Sequence, residues 1–242
     1  MALRLVQRGE GNPRPLVLMF LVGGDLDPRL REAFGPGPCI VADGSAKGTE
    51  GLGELLEFAH RHAGLERVSR MALVGYSAGC QRVRALRMAG VAAHAYLLAD
   101  GTHASWPPEE WQIAWLMELA QEARAGRILL VATHTLQTYT ERLPKGQAFA
   151  STLRVLRMAT GMALDRAGTV ERPVVSRDGE LWVYSYTSGE IDAAAHAAQL
   201  VQVVPEMCGR HVGPCLAAQR GSSVSLGLLG FAAVLTSRLV RS

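Results

Sequence analysis

One serine stands between small residues in the stretch "MALVGYSAGCQRVRALRMAG", residues 71–90. Its centre, "GYSAG" at 75–79, fits the pattern G-x-S-x-G, which is typical of a sharp turn that presents a serine nucleophile between a strand and a helix. An apolar run at 71–74 precedes the motif, and a segment with helical spacing, 80–89, follows it. We therefore expect a strained turn that exposes the Ser77 hydroxyl, with small flanking residues that let strand and helix approach closely.

The same turn offers hydrogen-bond donors to a negatively charged oxygen. The N–H of Ala78 is expected at the positive end of the following helix, where it can stabilise an oxyanion. A second donor is expected from the loop after an earlier strand, where "LVGGDL" supplies Gly23, Gly24 or Asp25. Together these groups predict an oxyanion hole beside Ser77.

With these features the sequence resembles the α/β-hydrolase superfamily of serine hydrolases. The "GYSAG" motif is the most specific point of resemblance, and the order of strands and helices extends it over residues 14–207. The resemblance implies a nucleophilic serine, a carboxylate and a histidine in that order along the chain. The alternative for Ser77 is a serine in an ordinary tight turn, or a hydrolase fold that has lost catalysis.

The histidine of such a triad is expected after the last strand. Residues 181–186 are predicted to form that strand, and His196 opens a helical segment shortly after it. His196 is therefore the predicted general base, with a surface histidine in a first helical turn as the alternative. His134 is the rival, because it also follows an apolar run, at 128–133.

The predicted acid departs from the commoner pattern of the family. Many relatives place it after the strand that corresponds to 128–133, but no carboxylate occurs there before Glu141. Asp100 directly follows the apolar end of "AYLLAD", and a minority of lipase-like members are similar in placing the acid at this earlier strand. Asp100 is the predicted acid, and a simple Asp-Gly turn is the alternative.

Side chains around the motif and in the next helix are predicted to contact the substrate: Tyr76, His103, Trp111 and Trp115. In the helix after residue 107, an apolar stripe that begins at Ile113 is expected to face the sheet, which leaves both tryptophans on the opposite side. The alternatives are that residues 136–165 cover the tryptophans or that they contact another subunit. Residues 136–165 are also a candidate wall or lid of the pocket, with a core helix as the plain alternative.

The elements that position these residues are predicted from apolar patterning. Continuous apolar runs indicate strands buried on both faces, and most of the segments between them have helical spacing. This alternation predicts an α/β fold of the α/β-hydrolase type, a three-layer sandwich whose mainly parallel sheet carries helices on both faces. Its chemistry is expected at the carboxyl ends of the strands. The predicted strands are 14–24, 38–44, 71–74, 93–99, 128–133 and 181–186.

Composition excludes several other classes of protein. The 25 Lys and Arg residues are scattered and nearly balance 22 Asp and Glu residues, so a nucleic-acid-binding face is not expected. Four cysteines form no CxxC pair or zinc spacing, so a metal site is not expected. No cofactor is predicted, because the chemistry of a serine triad needs none. Cys208 and Cys215 are left as either a disulfide or free thiols. The N-terminus lacks the apolar segment of a secretory signal, which favours a cytoplasmic protein.

The chain is long enough for one catalytic domain, predicted over residues 1–220, followed by an apolar tail at 221–242. The strongly apolar part of the tail, 224–235, is shorter than the roughly 20 residues of a membrane-spanning helix. A packed C-terminal helix is therefore expected, with contact to a membrane or a partner as the alternative. The oligomeric state, including a homo-oligomer, is left open.

The function that the resemblance implies is that of a serine hydrolase acting on a small-molecule or lipid-like acyl substrate. A carboxyl ester is the favoured bond. Amidase, thioesterase and acyltransferase activities remain alternatives because the same triad serves each, as does a non-catalytic binding or assembly role on a hydrolase scaffold. A dinucleotide-dependent redox enzyme is disfavoured, because neither "LVGGDL" nor "VGYSAG" completes G-x-G-x-x-G.

Overall fold

The computed structural model of the chain describes residues 3–45, 50–135, 149–186 and 193–218. The strands within these residues are β1 (Leu3–Gln7), β2 (Arg14–Phe20), β3 (Cys39–Asp43), β4 (Val68–Tyr76), β5 (Ala95–Ala99), β6 (Ala104–Ser105), β7 (Leu129–Thr135), β8 (Phe149–Ala150), β9 (Val174–Asp178) and β10 (Leu181–Tyr186). The α-helices are α1 (Asp27–Phe34), α2 (Leu52–Ala63), α3 (Gly79–Met88), α4 (Glu110–Arg124), α5 (Thr152–Thr160), α6 (Ala193–Ala198), α7 (Val204–Met207) and α8 (Gly213–Ala217). Two π-helical turns join the last three into one helical run over residues 193–217.

Eight of the described strands form one sheet in the order β1-β3-β2-β4-β5-β7-β10-β9. The six inner strands run parallel to one another, and the edge strands β1 and β9 are antiparallel to their neighbours. β2, β4 and β5 are adjacent, so the residues that follow them meet at one edge of the sheet. That edge is where an open α/β sheet binds ligands.

Helices cover both faces of this sheet. Along β2 the side chains alternate between two buried clusters, since successive residues of a strand point to opposite faces. One cluster joins the sheet to α2, α3, α4 and α5, and the other joins it to α1 and the C-terminal helical run. The predicted fold class, an α/β fold with a mainly parallel sheet between two helical layers, is confirmed.

The predicted and observed elements differ mainly at the borders of the sheet. The prediction lacks β1, α1 and β9, which carry weak apolar signals. In β9, for example, no residue is fully buried, so its sequence "VVSRD" does not read as a buried strand. The strand predicted at 128–133 extends to Thr135, which places His134 inside β7 rather than after it.

All four cysteines lie in the described part of the chain as free thiols. The alternative of a Cys208–Cys215 disulfide is therefore not observed. Among the described residues, no group of three or more His, Cys, Asp or Glu side chains is arranged to hold a metal ion. Helices long and apolar enough to span a membrane are likewise absent from the described ranges. The predicted tail, 221–242, lies outside them.

Candidate active site

Ser77 lies on the turn between β4 and α3, in a backbone conformation with φ of +50°. Non-glycine residues rarely adopt this conformation, and where they do the strain is often found at functional sites. The Ser77 N–H donates to the carbonyl of Ala99 (2.9 Å), and the Ser77 carbonyl accepts from the N–H of Cys80 (3.0 Å). The neighbouring strand and the first turn of α3 thus hold the strained turn in place.

The glycines on either side of Ser77 lie where backbone segments approach closely. A Cβ on Gly75 would stand 2.8 Å from the backbone of Cys80, and a Cβ on Gly79 would stand 2.2 Å from the carbonyl oxygen of Phe20. A Cβ does not approach other heavy atoms this closely, so a larger residue at either position would push α3 away from the sheet. The close approach accounts for the small residues that flank the serine.

Three side chains from different parts of the chain meet at this turn. The Ser77 Oγ lies 2.9 Å from His196 Nε2, and His196 Nδ1 lies 2.9 Å from Asp100 Oδ2. With its proton on Nδ1, the imidazole donates to the carboxylate and accepts the hydroxyl proton of Ser77 at Nε2. The structure therefore brings together the three residues that the sequence analysis named as nucleophile, base and acid.

Asp100 follows β5 and is completely buried, with φ of +48°. Its N–H donates to the carbonyl of Thr133 (3.0 Å). Its carboxylate accepts the N–H of Thr135 at Oδ1 (3.2 Å), and the Thr135 hydroxyl lies 3.4 Å from Oδ2. A buried carboxylate is expensive unless it is hydrogen-bonded, and β7 supplies these bonds while fixing the direction of the carboxylate.

Gly101 is a site residue that the sequence analysis did not single out. A Cβ at this position would stand 1.9 Å from the carbonyl oxygen of Ser77 and 2.8 Å from the Sγ of Cys80. The loop that carries Asp100 therefore runs against the backbone of the nucleophile turn, and only glycine permits that approach. The Asp-Gly pair is its one sequence signal, and such a pair is equally typical of an ordinary turn.

Tyr76 holds the histidine in place. Its hydroxyl donates to the backbone carbonyl of His196 (2.8 Å), and the two rings stack with their centroids 4.8 Å apart. One turn further along the helical run, Gln199 accepts a hydrogen bond from the Thr133 hydroxyl (2.7 Å). β4 and β7 therefore anchor the segment that carries His196, and Tyr76, which was expected to contact the substrate, lies against this histidine.

His134, the rival for the general base, is fully buried in β7. Its Nε2 lies 2.9 Å from the Ser185 hydroxyl, and its Nδ1 lies 3.3 Å from the carbonyl of Thr135. Burial lowers its pKa. Both ring nitrogens thus face groups other than Ser77, and the contacts favour His196 as the base.

His103 lies within electrostatic range of Asp100 and His196. Burial lowers its pKa most strongly, the Asp100 carboxylate opposes that shift, and His196 adds to it. Its ring meets the edge of Phe149, with the centroids 6.4 Å apart. The position beside Asp100 and His196 keeps His103 as a candidate substrate contact.

The two tryptophans of α4 have different surroundings. Trp111 is 58% exposed, with the guanidinium of Arg84 5.3 Å from its ring centre. Trp115 is only 6% exposed and belongs to the same buried cluster as Leu156 of α5. For Trp115 the reading in which residues 136–165 cover the tryptophans is the one observed, because α5 lies within that segment and packs against α4.

The expected oxyanion donors lie on two loops at the same edge of the sheet. The Ala78 N–H precedes the first turn of α3 and donates to no backbone acceptor among the described residues. Leu21, directly after β2, has φ of +60°, and its N–H donates to the carbonyl of Asp43 (2.7 Å). Gly23 and Gly24 follow it and lead into a 3₁₀ turn before α1.

Comparisons with known proteins give one distant structural likeness and no sequence match. No protein-family model and no curated protein matches the sequence. Among solved structures, a siderophore hydrolase, EstB, from Aspergillus nidulans is similar, with a TM-score of 0.44 and 15% sequence identity over 87% of this chain and 84% of that one. So distant a likeness assigns no activity and no substrate, and the function must be argued from the residues of the site.

Proposed function

We propose that the protein is a serine hydrolase that cleaves a carboxyl ester through an acyl-enzyme. The observation that carries the proposal is the relay from Ser77 to His196 to Asp100, with 2.9 Å at each contact. Two members of the relay have strained backbones, and each such residue costs on the order of 1–3 kcal/mol of stability. A base within hydrogen-bond reach of the hydroxyl, itself oriented by a third group, is the arrangement that activates a serine nucleophile.

In the proposed mechanism the Ser77 Oγ attacks the ester carbonyl while its proton moves to His196 Nε2. The Ala78 N–H and one amide of the loop after β2 stabilise the tetrahedral oxyanion. His196 then gives the proton to the leaving alcohol, which leaves an acyl group on Ser77. Water, deprotonated by His196, attacks this acyl group; the bond between the acyl carbon and Ser77 Oγ then breaks, His196 returns the proton to Oγ, and the acid is released. Throughout, Asp100 holds the Nδ1–H and stabilises the positive charge on the imidazole.

A panel of chromogenic substrates tests the reaction class. The panel contains p-nitrophenyl esters of increasing acyl length, the matching p-nitroanilides and thioesters, with Ser77→Ala as the blank. We expect the wild type to hydrolyse at least one ester with a higher kcat/KM than the matching anilide or thioester. A faster anilide or thioester would change the bond assigned to the site. A wild type that turns over none of them would favour a non-catalytic role on a hydrolase scaffold.

Asp100→Asn is expected to lower kcat by about 10⁴ while the fold is retained, because the amide stabilises the wrong histidine tautomer. Steady-state kinetics together with a thermal unfolding midpoint measure the two effects separately. Asp43→Asn is the matched control, since Asp43 is also a buried carboxylate at the carboxyl end of a strand. Near wild-type turnover in Asp100→Asn, with collapse in Glu141→Gln or Asp192→Asn, would move the acid elsewhere.

A further inference from the structure

Arg4 of β1 holds the loop that follows β2. Its Nη1 donates to the carbonyl of Val22 (2.7 Å), and its Nη2 donates to the carbonyl of Gly23 (2.8 Å). The guanidinium also pairs with Asp27, the first residue of α1, with Nη2 2.8 Å from Oδ1 and Nε 3.2 and 3.3 Å from the two carboxylate oxygens. One side chain thus ties two consecutive loop carbonyls to the start of a helix.

These contacts fix the direction of two N–H groups as well. A trans peptide is planar, so its N–H points away from its carbonyl oxygen. The Val22 carbonyl shares a peptide unit with the N–H of Gly23, and the Gly23 carbonyl shares one with the N–H of Gly24; both units are trans. Because Arg4 binds the two carbonyl oxygens, the two N–H groups point away from Arg4.

Arg4 and the nucleophile belong to strands on opposite flanks of β2. β1 lies beyond β3 on one flank of β2, whereas β4, whose following turn carries Ser77, pairs with β2 on the other flank. The start of the loop touches the nucleophile turn, since the Cβ of Leu21 lies 3.1 Å from the position that a Cβ on Gly79 would occupy. A guanidinium that binds the carbonyls from the β1 side therefore turns the amides toward β4.

Two consecutive glycines leave this part of the loop with little restraint of its own beyond the Leu26 N–H, which donates to the Gly23 carbonyl (3.3 Å). Glycine occupies positive and negative φ about equally well, so neither peptide is held in one orientation by its own side chains. Rotation of either peptide would aim a carbonyl oxygen at the developing oxyanion and withdraw a donor from it. Charge-assisted hydrogen bonds are about twice as strong as neutral ones, which suits Arg4 to oppose that rotation.

We propose that Arg4 is a positioning residue that orients the peptide N–H groups of Gly23 and Gly24 as the second part of the oxyanion hole, with Asp27 aligning its guanidinium. The proposal rests on the proposed serine hydrolase function. Arg4 binds the carbonyl oxygen of the same peptide unit as each of these two N–H groups. This contact is the reason for choosing the two glycines over the other amides of the loop.

The test compares an ester with its thionoester, whose C=S group accepts hydrogen bonds poorly, so that the ratio of their kcat values reports on the oxyanion donors. Loss of one donor typically costs about 10²–10³ in kcat. Arg4→Met removes the contacts of the guanidinium with the loop, so we expect kcat on the ester to fall by a smaller factor, about 10- to 100-fold, with little change in KM. The ratio of the kcat on the ester to the kcat on the thionoester should fall by a similar factor.

Arg31→Met is the matched control, because Arg31 also donates to a backbone carbonyl, that of Val6 (3.2 Å), without touching the loop. Its ratio should equal that of the wild type. Arg4→Lys, which keeps the charge but not the fork of donors, should fall between Arg4→Met and the wild type. If Arg4→Met does not fold, Arg4→Lys and Asp27→Asn are measured for the same ratio.

The outcomes separate this proposal from the one on which it rests. Wild-type turnover of the ester with an unchanged ratio in folded Arg4 variants contradicts the role of Arg4 and leaves the hydrolase assignment standing. A lower kcat with an unchanged ratio indicates a purely structural arginine and also contradicts it. A wild type that hydrolyses neither substrate contradicts the hydrolase assignment, and the role of Arg4 falls with it.

Discussion

Ser77→Ala is expected to lower turnover by about 10⁶, the scale seen when the serine of a catalytic triad is removed. The Oγ is the atom that would form the acyl bond, and no neighbouring group replaces it in the relay. Alanine keeps the Cβ and the N–H bond to the carbonyl of Ala99, so the strained turn should be retained. Initial rates on the best ester, with a thermal unfolding midpoint for each protein, measure both effects.

Ser185→Ala is the matched control for this substitution. Ser185 is fully buried, and its hydroxyl also lies 2.9 Å from a histidine nitrogen, that of His134. It lies within β10, away from the turn that carries Ser77, so its replacement should leave most of the turnover intact. Retained turnover in Ser77→Ala, or its loss in a folded Ser185→Ala, would contradict the assignment of the nucleophile.

His196→Ala is expected to cost nearly as much as Ser77→Ala, about 10⁶ in kcat, because nucleophile and base act as one unit. Without the imidazole, no group accepts the Ser77 proton at 2.9 Å. The double variant Ser77→Ala/His196→Ala should be scarcely slower than either single one, since their effects are not additive. Steady-state rates of the three proteins establish this pattern.

His60→Ala is the control for removal of an imidazole, because His60 lies in α2 and contacts the carbonyl of Leu65 (3.1 Å). Its kcat should match the wild type. His134→Asn tests the rival directly and is expected to retain activity if it folds. Collapse of turnover in a folded His134→Asn, with activity kept in His196→Ala, would transfer the role of base to His134.

The triad candidates could be named from the sequence because each follows a strand whose signal is strong. β4, β5 and β10 are buried on both faces of the sheet, so they read as continuous apolar runs. Sequential strands usually lie side by side, which predicts that Asp100 lies near Ser77. The glycines of the nucleophile turn carried a second signal, since close backbone approach excludes larger residues.

The supporting residues could not be named because their roles depend on distant contacts. Arg4 lies on an edge strand of mixed character and acts on a loop 18 residues away along the chain. Thr135 supports Asp100 from the neighbouring strand, across 35 residues. Trp115 depends on such a contact too, since helical spacing left open whether residues 136–165 cover it, and α5 within that segment does.

The most direct test of the central claim is to locate the covalent adduct that a fluorophosphonate probe forms on the folded wild type, by mass spectrometry of its proteolytic peptides. We expect one adduct, on Ser77, which is absent from Ser77→Ala and forms far more slowly on His196→Ala. No adduct on the wild type, or an adduct on another serine that persists in Ser77→Ala, would contradict it.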